Sequence, residues 1–225
     1  MVVAVALAAV LAAGCGTPLY TWDVHIGSAR TTPSLDVAAL TSEPISTFGL
    51  VAPSSLQGLG PGLSDALHAA LADASPPIRG MRAAETLNRI NERGLAGEYG
   101  ELQAGFSRSG ILDRERLQRV APALYSRYVL QPGLAAFDQS VGDRFELAGF
   151  KLIKIRLTTL RLWLQLWDIQ TGQMLSESWG EVTVATQLLV PAAAVSLDDI
   201  ARRLWSRLIQ DGLLEGKTRW RLFSH

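Results

Sequence analysis

The chain has 225 residues, with 21 Lys and Arg against 21 Asp and Glu, so no net charge points to nucleic acid as a partner. Hydrophobic residues make up 48% of it, too many for a disordered chain and enough for one good-sized domain with a core. A single cysteine excludes an internal disulfide.

That cysteine follows an apolar run. Residues 2–13, VVAVALAAVLAA, are apolar throughout. Twelve helical residues span about 18 Å against a hydrocarbon core of about 30 Å. The length is that of a signal-peptide apolar region, not of a membrane-spanning helix. The small residues Ala12, Ala13 and Gly14 leave the segment before Cys15 open to a peptidase, and Gly16, Thr17 and Pro18 would break a helix continuing past it. Leu11-Ala12-Ala13-Gly14-Cys15 resembles the lipobox of bacterial lipoproteins. The resemblance implies that residues 1–14 are a removed signal peptide and that Cys15 is diacylated and becomes the new N-terminus. Acyl chains bind a bilayer at about 0.8 kcal/mol per buried CH₂, so two or more anchor stably. Gly16 rather than Asp follows the cysteine, which in similar lipoproteins implies forwarding to the outer membrane, here with the domain facing the periplasm.

Residues 15–44 hold Pro18, Pro33 and Pro44 and no sustained period, and are expected to form an extended tether to a single domain over 45–215. Tyr20 and Trp22 suit either the membrane interface or the surface of the domain. Residues 45–52, ISTFGLVA, predict a short buried strand. After a glycine-rich turn, Pro61 opens a helix with Leu63, Leu67, Ala70 and Leu71 on one face. The loop lacks the Lys and Ser/Thr of a P-loop and the spacing of a dinucleotide fingerprint, so no nucleotide is expected there.

Pro76 and Pro77 end that helix, and IRGMR predicts a weak strand. A helical hairpin follows over 83–107, with Leu87, Ile90, Leu95, Tyr99, Leu102 and Phe106 at helical spacing. Gly94 and Gly110 fit the residue just past a helix end, and Asp113 caps a third helix. Residues 125–137 are β-rich, with a bend expected at Pro132 and Gly133. The strongest β signal covers 145–168: Leu160, Leu162, Leu164 and Leu166 point one way, Arg161, Trp163, Gln165 and Trp167 the other. Residues 168–172 supply a hairpin turn, and MLSESWGEVTVAT is the return strand. Ser196 caps a last helix with an apolar stripe through Ile200, Leu204 and Leu208, and residues 216–225 form a basic and aromatic tail. The pattern predicts an α/β fold: a mixed, largely antiparallel sheet with helices packed on it and a helical insertion after the second strand.

Reactive groups are sparse. His25, His68 and His225 share no ligand spacing, so no metal is expected. No G-x-S-x-G elbow occurs. The carboxylate pairs Asp198 with Asp199 and Glu98 with Glu101 fall at helix starts or exposed faces, where they read as capping and dipole groups. No catalytic set and no cofactor are therefore expected. Arg202, Arg203 and Arg207 share a helix with Asp198 and Asp199 and read as a solvated face. Arg161, Trp163 and Trp167, with Trp179 on the return strand, have the composition of a protein-contact hot spot. The alternative is that the insertion covers this face and the tryptophans are core.

Tyr128-Val129-Leu130 and the strand-turn-strand LRLWLQLWDIQTGQMLSESWGE resemble a group of bacterial envelope lipoproteins. The group includes the curli-export lipoproteins, the penicillin-binding-protein activator lipoproteins and the N-terminal domain of the Tol translocation protein. The stretch ETLNRINERGLAGEYGELQAGFSRSGILDRERL is similar to uncharacterised lipoproteins sharing that sheet. The resemblance covers about residues 46–212 and implies a non-enzymatic binding or assembly accessory of the envelope. Its partners would be the membrane, through the lipid, and envelope proteins or further copies of itself. The alternative it implies is an oligomeric, pore-forming secretion component.

Overall fold

The structure, a computed structural model, describes residues 20–30, 35–124, 126–146, 151–187 and 195–216. The expected signal peptide, Cys15 and, Gly216 apart, the expected tail lie outside the described residues.

Strict alternation makes strand β4 (Lys151–Asp168) the axis of the sheet. Its four leucines, Leu160 to Leu166 at every second residue, are at most 2% exposed and face one layer of helices. It pairs antiparallel with β3 (Tyr128–Glu146) on one side and β5 (Gln173–Gln187) on the other. Asp168 shapes the β4–β5 turn: its Oδ1 accepts from the amides of Gln170 (2.8 Å) and Thr171 (3.2 Å). Gly172, at φ +68°, closes the turn. The strand order is β1-β5-β4-β3-β2, with β1 (Tyr20–Arg30) antiparallel to β5 and the two-residue β2 (Ser46–Thr47) parallel to β3. This is the mixed, largely antiparallel sheet that the sequence predicts; the helical insertion follows β2, whereas the second strand expected at IRGMR is reduced to an isolated bridge of Gly80 with Ile45.

The tether expected over 15–44 is corrected. Within it Tyr20–Arg30 are a full edge strand, and Val37–Ser42 form helix α1, whose N-cap Asp36 accepts from the amide of Ala39 at 3.1 Å. Trp22, Val24 and Ile26 alternate with Thr21, Asp23 and His25, so one face of β1 is apolar and packs on the core. The free edge of β5 supplies the backbone partners that this segment needs. Residues 45–52 also differ from expectation: Ser46–Thr47 pair as a strand, and beyond them only Ile45 and Val51 make isolated bridges, to Gly80 and Gly133. The bend expected at Pro132 and Gly133 lies elsewhere, since both stay in register with β4 and the irregularity falls between Leu134 and Ala136. The carbonyl of Pro132 accepts from Val51 at 3.1 Å. A residue's N and C=O share one side of a strand, so the missing N–H of Pro132 faces away from β4 and breaks none of that ladder.

The inner face is covered by α2 (Gly60–Ala72) and α6 (Leu197–Arg207). Pro61 opens the first, and Ser196 caps the second by accepting from the amide of Asp199 at 3.1 Å. Leu63, Leu67, Leu71, Ile200, Leu204 and Trp205 meet the leucine face in the main core. Trp205 is fully buried, with Nε1 donating to the carbonyl of Leu63 at 3.0 Å. Helix α6 runs on as a π-helix over Leu208–Leu214, whose Leu213 and Leu214 carbonyls accept from Arg30 of β1 at 2.7 and 2.6 Å.

The insertion forms α3 (Ala83–Glu92), α4 (Ala96–Ser109) and α5 (Arg114–Val120), with Gly94 and Gly110 both at φ +71° after the first two. Asp113 caps α5 through the amide of Arg116 at 3.0 Å. Ile90, Leu102, Phe106 and Leu117 build a second core with Phe48, Val129 and Trp167 on the outer face. That face is therefore covered at the β4–β5 turn and partly open towards β1 and β5.

Candidate functional site: the outer face and the β1–α6 cleft

One row of the sheet reads Gly133, Trp163, Trp179, Gly27 across β3, β4, β5 and β1. Each indole lies over the glycine of its outer neighbour. A Cβ on Gly133 would stand 1.9 Å from Cε2 of Trp163, and one on Gly27 would stand 2.4 Å from Cε2 of Trp179. The two rings thus splay apart, each seated on bare backbone, as aromatic side chains do over strand glycines.

The four residues singled out in the sequence divide here. Trp167 is 3% exposed beneath the insertion, its Nε1 donating to Oε1 of Gln165 at 3.1 Å. Trp163 is partly buried, with its ring centroid 5.8 Å from that of Phe106. Trp179 remains 38% exposed, and Arg161 is exposed and paired with Glu181. His25 of β1 stands opposite Glu181, its Nε2 3.1 Å from Oδ2 of Asp23. The contact group of the sequence is therefore half core and half surface, and its open part is Trp179 beside Arg161, Glu181 and His25.

Two further polar groups are fixed by packing. The Tyr99 hydroxyl accepts from the amide of Gly49 at 3.1 Å, and its ring meets Phe48 edge-on at 5.3 Å. Burial pushes its phenol up to about 12, while the Gly49 bond pulls the other way. Arg127 donates to Oδ2 of Asp168 through Nε (3.0 Å) and a terminal nitrogen (2.8 Å). That bond and the charge of Asp168 hold the guanidinium more firmly protonated.

A second surface was not visible in the sequence. β1 and α6 enclose an open cleft of about 570 Å³, lined by Trp22, Val24, Asp199, Arg202, Arg203, Ser206 and Arg207. The Arg203 guanidinium lies 4.4 Å above the Trp22 ring. Arg202 is held by Asp73 at 2.9 Å and Arg207 by Asp211 at 3.4 Å. Arg203 has no carboxylate partner among the described residues. The signal for this cleft was the alternation of Trp22, Val24 and Ile26, masked by the prolines on either side. Among the described residues no three His, Cys, Asp or Glu are grouped to hold a metal ion, and no helix is long and apolar enough to cross a membrane.

No protein-family model matches the sequence, and no protein of curated function matches it. Among solved structures, the chain is similar to a variant of the PelC dodecamer from Paraburkholderia phytofirmans, with 10% identity and a TM-score of 0.45 over 84% of this chain and 96% of that one. It is also similar to lipoprotein GNA1162 from Neisseria meningitidis, with 14% identity and a TM-score of 0.40 over 74% of this chain and 94% of that one.

Proposed function

We propose that this chain is an exported lipoprotein, anchored through acylated Cys15, that acts as a non-enzymatic binding or assembly accessory of the cell envelope. The observation that carries the reading is the position of the lipobox-like cysteine relative to the fold. Cys15 precedes Tyr20, the first residue of edge strand β1, by five residues. Five residues reach at most about 18 Å. Acyl chains on Cys15 would therefore hold the domain directly against the bilayer rather than at the end of a long tether. The open strip of Trp179 and Arg161 supports a contact role, since exposed Trp and Arg suit protein interfaces. The outer membrane, with the domain facing the periplasm, is the location this reading gives.

Mass spectrometry of the N-terminal peptide tests the anchor. The expected result is a chain beginning at acylated Cys15, and a Cys15→Ser mature chain, made behind a cleavable leader, that leaves the membrane fraction. A full-length chain with a free thiol in the cytosol would overturn the reading.

The length of the β3–β4 hairpin favours a second reading, a pore-forming component. Its strands run 19 and 18 residues, and a membrane-spanning strand needs about 9–11. Against it, the leucine face of β4 is used by the α2–α6 core. A Cys15→Ser chain that still required detergent would favour the pore.

A further inference from the structure

The β1–α6 cleft lies at the end of the sheet from which the chain leads back to Cys15. Trp22 is two residues into β1, and it sits in one row with Val184 and Thr158. The next row on that face towards the same end carries Tyr20, Thr186, Arg156 and Val141, and Lys154 follows on β4. Arg156 and Lys154 are exposed, and Val141 is 64% exposed. This end of the inner face thus gathers cations, an exposed apolar side chain and a tryptophan, the groups that settle at the boundary between lipid and water.

The cleft itself carries more basic than acidic side chains, Arg202, Arg203 and Arg207 against Asp199. Arg202 and Arg207 are each neutralised and fixed by a carboxylate, Asp73 and Asp211. Arg203 has no carboxylate within ion-pair distance among the described residues, although Asp199 also lines the cleft, and its guanidinium carbon stands 4.4 Å from the centre of the Trp22 ring. A guanidinium so placed keeps its donors free for two oxygens of a phosphate. The apolar floor of Trp22 and Val24 fits the glycerol and first methylenes that a lipid phosphate brings with it.

We propose that this cleft seats the phosphate of an anionic phospholipid headgroup, with Arg203 as the phosphate ligand and Trp22 as its platform. The inference rests on the lipid-anchoring reading, because acylation at Cys15 is what delivers the cleft to a bilayer. A domain held by its acyl chains at one point and by a headgroup at the cleft has a fixed face towards the membrane. The outer-face strip of Trp179 and Arg161, on the opposite side of the sheet, then stays available to partners.

The test uses the mature chain carrying Cys15→Ser, so that no acyl chain contributes. It should sediment with vesicles of equimolar phosphatidylglycerol and phosphatidylcholine and stay in solution with phosphatidylcholine alone. Arg203→Glu should weaken the binding by about thirtyfold, since the reversal changes two charges and one surface cation near anionic lipid is worth about fivefold. Arg203→Gln, with no charge reversed, should weaken it less but measurably, and covers the case in which the reversal disturbs folding. Equal binding to phosphatidylcholine alone, or unchanged binding by Arg203→Gln, overturns the proposal. Inorganic phosphate that competes as well as the vesicles would assign the cleft to a soluble anion and overturn the lipid assignment. Acylation of Cys15 is read separately by mass spectrometry on the native chain, so failure of the cleft and failure of the anchor are distinguishable.

Discussion

A glycine inside a strand costs backbone entropy and packs no side chain, yet Gly133 and Gly27 each form the seat of an indole. The two seats differ in what surrounds the ring. Trp163 is hemmed in by Phe106, whereas Trp179 faces solvent and can swing away. Gly133→Ala should therefore destabilise by about 1–3 kcal/mol through overpacking, and Gly27→Ala by less than about 1 kcal/mol. Urea midpoints at unchanged slope would show this order, and the reverse order would mean that Trp163 is not locked. Tyr99 gives a pH prediction. The unfolded phenol ionises near 10.0, and the folded one keeps its proton to about 12. The stability from this buried neutral group is thus complete below pH 10 and is lost as pH rises towards 12. The loss amounts to about 2 kcal/mol, and Tyr99→Phe should flatten that part of the stability–pH curve.

At the scale of an element, single polar side chains decide where the regular structure starts and turns. Asp168 is 2% exposed and serves two turn amides and Arg127 at once. Asp168→Ala leaves those amides without their acceptor and should cost about 2–3 kcal/mol in thermal or urea unfolding. Ser196 caps α6 more modestly, and Ser196→Ala should cost about 1 kcal/mol. The two sites lie on different elements with no shared partner, so the double variant should show the sum. A double variant far from the sum would mean that the turn and the helix start are coupled. The Ser196 cap, the Asp113 cap and the glycines after α3 and α4 were all readable in the sequence, because each depends on residues within one turn.

At the scale of the molecule, β1 is what turns part of the expected tether into part of the domain. It covers the edge of β5 and adds Ile26, 5% exposed, to the main core, with Trp22 and Val24 packed against it. A chain begun at residue 45, the boundary that the sequence suggests, should lose cooperative unfolding and aggregate through the bared β5 edge. Size-exclusion chromatography and a circular-dichroism melt would check this, and a monomer with an unchanged melt would show β1 to be dispensable. The same strand brings Trp22 under Arg203 and so assembles the cleft, which is why the cleft and the edge of the sheet stand or fall together.

By itself the sequence determined the kinds of element and their faces: the four leucines of β4, the stripe of α6, the caps and the β4–β5 turn. These follow from periods of two and 3.6 residues and from hydrogen bonds made within a few positions. Only the tertiary structure decided that residues 20–30 are a strand, because their partners, from Thr186 back to Ser176, lie at the other end of the chain. It alone decided how the tryptophan face divides, because Phe106 reaches Trp163 only once the insertion has folded back over β4. The physical reason is the same in both cases: local periodicity says which face of an element is apolar, and long-range packing decides what comes to cover it.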